Sequence, residues 1–187
     1  MTNSGSALSQ EYFKAASGKD FEALSPEGRI NKILSIRTPN DVRFLSQFME
    51  KDVSLKEFKQ TSPKTSTAVF RFRVEKFYCN ASGNLHGGAQ ATIYDVLTSL
   101  AVQAIGTRTF WLNAGVSRNL EVTFLRPAPL GTVLLCDVEL MHTGKSLAFM
   151  RGVIKREDNG AIISVGKHDK AVVAVKEGWD APAKSKL

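Results

Sequence analysis

The most apolar long stretch of the chain, residues 89–105, places Ile93, Leu97, Leu100 and Ala104 on one face of a helix. The runs around it have a different period. Residues 68–77 alternate, with Phe70, Phe72 and Val74 on one side and Arg71, Arg73 and Glu75 on the other. Residues 114–125, 132–141, 146–155 and 161–175 read as four further strands, and Asp158-Asn159-Gly160 is a hairpin turn between the last two. One helix cannot cover both faces of so many long strands. The arrangement that buries them is an α+β fold, a curved antiparallel sheet wrapped around the single helix, with another subunit completing the assembly.

Upstream the pattern thins. Residues 1–20 are rich in Ser, Ala and Gly and are expected to be mobile. Ser25-Pro26-Glu27 opens a helix whose inner face carries Ile30, Ile33 and Leu34. Asn40-Asp41 starts another, with Val42, Leu45, Phe48 and Met49 at helical spacing. The expected organisation is an extension over 1–60, a main domain over 61–175 and a polar tail over 176–187. The chain of 187 residues is 43% hydrophobic and 23% charged, which excludes a largely disordered protein.

Cys79 and Cys136 are too few for a disulfide scaffold, and His86, His142 and His168 show no metal-ligand spacing. No basic segment followed by an apolar one opens the sequence, and residues 89–105 contain Asp95. No transmembrane segment is expected. The expected compartment is reducing and cytoplasmic, and a mitochondrial one also fits.

Residues 80–88, Asn-Ala-Ser-Gly-Asn-Leu-His-Gly-Gly, stand directly before the apolar helix. A helix N-terminus exposes unpaired N–H groups and a partial positive charge. Gly87 and Gly88 let a ligand approach that backbone closely, and an N–H there suits the oxyanion of acyl transfer. Asp95 is the odd charge on an apolar helix, costly unless paired or used. It reads either as a general base or nucleophile or as one half of a buried ion pair. Seven residues separate it from Gly88, close to two turns and about 10 Å along the axis. One carbonyl group does not span that distance, so a site using both is shared between subunits. Cys79, the other nucleophile in the region, has no histidine at a supporting spacing.

Asn80-x-x-Gly83-x-x-His86-Gly87-Gly88 with Asp95 resembles the signature of hotdog-fold acyl-CoA thioesterases, of the phenylacetate-pathway (PaaI) and thioesterase superfamily member 2 type. The resemblance continues through Gly115-Val116-Ser117, residues 124–128, residues 144–149 and Gly166-Lys167-His168. It implies hydrolysis of acyl-CoA, within fatty acid metabolism, by a homodimer or homotetramer, with no metal or other cofactor because coenzyme A is part of the substrate. It also implies roles. The Gly87 N–H polarises the thioester carbonyl. Asp95 activates water or attacks directly. Asn80 and His86 orient the carbonyl and the glycine loop, and Ser117 holds the water. Gly88, Asn119, Phe124, Arg126, His142, Lys145, Lys167 and Lys170 are the candidates for substrate binding. The alternative is a module that binds acyl-CoA or an acyl carrier without cleaving it.

The net charge of +7 fits an anionic substrate. Residues 1–60 carry nine Lys+Arg against eight Asp+Glu, and residues 61–187 carry sixteen against ten. The excess therefore lies where the motif lies. No basic cluster with interleaved aromatics suggests nucleic acid.

Overall fold

The computed structural model describes residues 19–37, 43–107, 110–111 and 114–173. The mobile segment expected before Asp20, the helix start at Asn40-Asp41 and the 176–187 tail fall mostly or wholly outside these. Among the described residues two helices come first, α1 (Lys19–Ala23) and α2 (Pro26–Leu34). The Ser25 hydroxyl accepts from the Gly28 N–H at 3.0 Å, the N-cap that the Ser-Pro-Glu start predicts. A single turn, α3 (Phe44–Gln47), runs into a π-helical turn, Phe48–Asp52.

Six strands follow, β1 (Val53–Ser62), β2 (Thr65–Arg73), β3 (Val116–Phe124), β4 (Val133–Thr143), β5 (Leu147–Arg156) and β6 (Ile162–Ala171). They form one antiparallel sheet in the order β1-β2-β4-β5-β6-β3. The long helix α4 (Gly87–Ile105) lies on it. Thirteen of its side chains are buried, so it is apolar nearly all round rather than along one stripe. Sheet and helix together make the hotdog fold.

The boundary expected at residue 61 is corrected. β1 already belongs to the sheet, and Ile30, Ile33 and Leu34 of α2 enter the same core as Phe70, Phe72 and Leu97. Residues 53–60 carry polar or charged groups at most positions, as an edge strand does, and this hides the strand from hydrophobic alternation. Arg29 closes the join, donating to Glu22 O at 2.7 Å, to Ala104 O at 3.2 Å and to Gly106 O. A cation thus satisfies carbonyls at the C-terminal end of α4, where the helix dipole favours it.

Tyr94 fixes α4 against the sheet. Gly152 and Gly166 face each other across β5 and β6, and the Tyr94 ring fills the space between them. A Cβ on Gly152 would come within 2.6 Å of that ring, and one on Gly166 within 2.9 Å. The Tyr94 hydroxyl donates to Ser164 O at 2.8 Å and accepts from the Ile154 N–H at 3.0 Å. The residue immediately before Asp95 is therefore locked in place, which sets where Asp95 stands.

Candidate active site

The loop before α4 is built by local hydrogen bonds. Asn80 N–H donates to Asn84 O at 2.8 Å, and Gly83 N–H to Asn80 O at 3.0 Å. The Asn80 side-chain oxygen accepts from the N–H groups of Ser82 and Asn84 at 3.0 and 3.1 Å. That oxygen is spent on the loop, and the Asn80 NH2 group has no partner among the described residues. Leu85 N–H on Ala128 O and Leu130 N–H on Gly83 O, both 2.8 Å, pin the loop to the turn after β3.

His86 is the N-cap of α4, its Nδ1 accepting from the Gly88 N–H at 2.9 Å. This starts the helix at Gly87, two residues earlier than apolar spacing indicates. It also takes up the Gly88 donor, while the Gly87 N–H has no acceptor among the described residues. The Phe124 ring lies over Gly87, 3.3 Å from where a Cβ would stand. Phe124 is 53% exposed, so Gly87 sits between an aromatic wall and solvent.

Asp95 belongs to a second constellation, two turns further along α4. Ser117 Oγ donates to Asp95 Oδ1 at 2.5 Å. A register shift between Ser117 and Asn119 places one extra residue in β3. After that bulge Leu120 and Val122 pack on the core, so Ser117 is turned onto the helix side out of ordinary alternation. β6 contributes His168 and Lys170, both buried, two residues apart on its inner face. Lys170 Nζ donates to Ser99 Oγ at 2.9 Å and, with a longer reach, to Ser117 Oγ at 3.4 Å. Ser99 Oγ in turn donates to the Asp95 main-chain carbonyl at 2.6 Å.

His168 Nδ1 is 2.6 Å from Thr98 Oγ1, and Thr98 Oγ1 donates to Tyr94 O at 2.6 Å. Thr98 has one proton, and that carbonyl takes it. We therefore assign Nδ1 as the protonated nitrogen of His168, donating to Thr98, and Nε2 as the lone pair. Nε2 lies 3.3 Å from Asp95 Oδ1 but makes no hydrogen bond with it. Burial, reinforced by the Lys170 charge, pushes the imidazole down to about 4, against opposite pulls from Asp95 and Asp169. A neutral histidine and a carboxylate thus present two acceptors to one small volume. The Lys170 ammonium is driven down by burial and up by Asp95.

The structure brings Asp95 and Ser117 together, and Gly87, Gly88, His86 and Phe124 together. It does not unite the two groups within one chain. Among the remaining candidates Arg126 donates to Ile162 O at 2.9 Å, and Lys167 stands 3.6 Å from Glu121. Asn119 is exposed and pairs in register with Asp169. His142 and Lys145 are exposed by the β4–β5 turn, near the C-terminal end of α4 and far from Gly87. Lys170 is corrected. It is a sequence candidate for substrate binding, but alternation along β6 carries it inward, where it is 4% exposed. Sequence reasoning missed the roles of His168, Thr98 and Ser99. The available signal was the i, i+2 series Ser164, Gly166, His168, Lys170, a polar set on the inner face of a strand.

One helix on a curved antiparallel sheet, with a free glycine N–H at its start and a serine-bound aspartate two turns in, defines a hotdog protein built around a polar site. The thioesterase superfamily model matches residues 82–163. Human acyl-coenzyme A thioesterase 13 is 30% identical over 102 residues, 54% of this chain and 70% of that protein. The zebra fish thioesterase superfamily member 2 structure has a TM-score of 0.63 at 24% identity, covering 81% of this chain and 100% of that one. A hypothetical thioesterase of Streptococcus pneumoniae, solved with coenzyme A, has a TM-score of 0.57 at 21% identity, covering 66% and 88%. The chain belongs to the thioesterase superfamily. Among the described residues no helix is long and apolar enough to cross a membrane.

Proposed function

We propose that the chain hydrolyses acyl-CoA thioesters, with Asp95 as general base. The observation that carries this reading is the pairing of an unengaged Gly87 N–H with a carboxylate already bonded by Ser117. Asp95 takes a proton from water as the water oxygen bonds to the thioester carbon. The carbonyl electron pair moves onto oxygen, where the Gly87 N–H and the Asn80 NH2 group receive it. Collapse breaks the carbon–sulfur bond, and the leaving thiolate takes the proton held by Asp95. Ser117 fixes one carboxylate oxygen. The reaction uses no metal or redox cofactor.

Eight residues of helix place Gly87 and Asp95 about 12 Å apart along the axis. One thioester therefore meets Asp95 of one subunit and Gly87 of the partner subunit, which makes the working unit a homodimer or a dimer of dimers. The β3 edge supports this: its residues are mostly exposed, and no strand covers it among the described residues. Phe124 and Arg126 lie at the Gly87 end, where the acyl-CoA enters. Outer-face Lys167 and Asn119 and the distant His142 and Lys145 have no such placement within one chain.

The test is release of free thiol across short, medium and long acyl-CoAs, by the wild type and by Asp95→Asn. Thiol release by the wild type and none by a folded, oligomeric variant supports the reading. Tight acyl-CoA binding without any thiol release would make the chain a binding module instead. Oxygen-18 water in a single turnover separates base from nucleophile, because direct attack leaves label on Asp95.

A further inference from the structure

We infer that Lys170 is a positioning residue for Asp95: its buried ammonium donates to Ser99 and Ser117, and both hydroxyls then direct their protons at Asp95. The inference rests on the reading of Asp95 as the catalytic base and goes beyond it. A serine hydroxyl has one proton and two lone pairs. When Nζ occupies a lone pair of Ser117, the hydrogen points to Oδ1, 2.5 Å away. When Nζ occupies a lone pair of Ser99, that hydrogen points to the Asp95 carbonyl, 2.6 Å away. One cation thus holds both the side chain and the main chain of the same residue. The cross-strand pairing of Lys170 with Ser117 makes the contact a property of the sheet register.

Among the described residues Lys170 is the cation in reach. β6 supplies His168, kept neutral by burial, and Lys170. Asp169, between them in sequence, alternates to the opposite face of the strand. The inner faces of β2 and β5 bring no ionisable group, and β4 brings Cys136, whose thiol burial pushes up. β3 brings Ser117, Leu120, Val122 and Phe124, and α2 brings Arg29, engaged at the far end of α4.

The test replaces Lys170 in the full chain. Lys170→Met is expected to lower kcat tenfold or more, with KM for acyl-CoA within about twofold. Lys170→Arg, which keeps the buried charge and its donors, should restore most of kcat. Lys170→Gln, which fills similar volume without the charge, should show a fall in kcat at unchanged KM if the methionine variant fails to fold. Lys59→Met, exposed on β1, should leave all of these unchanged. A rise in KM at unchanged kcat would return Lys170 to substrate binding and overturn the inference. A fall in kcat that Lys170→Arg does not rescue would reduce it to packing. A crystal structure of Lys170→Met gives a reading independent of turnover, in which Ser117 Oγ leaves Asp95. If Ser117 stays in place, the inference is overturned. If the wild type releases no thiol from any acyl-CoA, the base assignment falls while the Ser117 rotamer still decides the role of Lys170.

Discussion

The two halves of the site are built by opposite means. The Gly87 half is local: residues 80–88 bond mostly to one another, and His86 caps the helix that follows it. The Asp95 half is assembled from α4, β3 and β6, with Ser117 22 residues from Asp95 and Lys170 71 residues from Ser99. The first supplies backbone donors at a helix end. The second supplies a carboxylate whose neighbours exist only once the sheet is formed. Damage to the first should alter chemistry with little loss of fold, whereas damage to the second should couple chemistry to sheet integrity.

The strongest way to break this contrast is Asp95→Asn. Loss of the base should lower kcat by about 10³-fold, within the usual span for general bases, while the melting temperature is kept. A residual rate within tenfold of wild type would remove Asp95 from the chemistry. Gly87→Ala probes the other half. Its Cβ presses on the Phe124 ring at 3.3 Å and crowds the carbonyl site, so kcat/KM should fall by about 10²-fold at near-native stability, measured by thiol release and calorimetry.

Gly152→Ala probes the coupling itself. A Cβ 2.6 Å from Tyr94 should cost about 1–3 kcal/mol in urea unfolding and shift Asp95, so activity and stability fall together. His168 gives a pH test of the same half. Its folded value of about 4 lies below the ordinary 6.5, so between these values the unfolded chain holds a proton that the native one refuses. Its contribution is complete above about pH 6.5 and is lost as the pH falls toward 4, on the order of 1–3 kcal/mol. Urea unfolding of wild type and His168→Asn across that window should diverge; parallel curves would disprove it. The smallest effect belongs to His86→Ala, which removes an N-cap and should cost about 1 kcal/mol with the sheet untouched.

The contrast also explains what the sequence discloses. The Gly87 half is readable because its logic is contiguous: Asn, Gly, His, Gly, Gly and then an apolar run spell a loop entering a helix. The central helix and the strands from β2 to β6 are readable for the same reason, each carrying its own period. Asp95 stands out as a charge among apolar neighbours. His168 and Lys170 do not stand out, because β6 reverses the expected alternation and turns its polar residues inward toward the helix. Ser117 comes through resemblance alone, since the bulge that turns it cannot be read from a strand pattern. β1 is lost because an edge strand is half-wet on both faces. The inward course of Lys170 is the plainest lesson: a lysine in a strand defaults to solvent unless the other face needs a cation.

The Arg29 tie has a consequence for how the chain comes into being. Its acceptors Ala104 and Gly106 emerge from the ribosome some 75 residues after it. α2 is therefore made early and docks late, holding Ile30 and Ile33 exposed while β2 and α4 are still being synthesised. α2 is translated well before the helix end that its arginine holds.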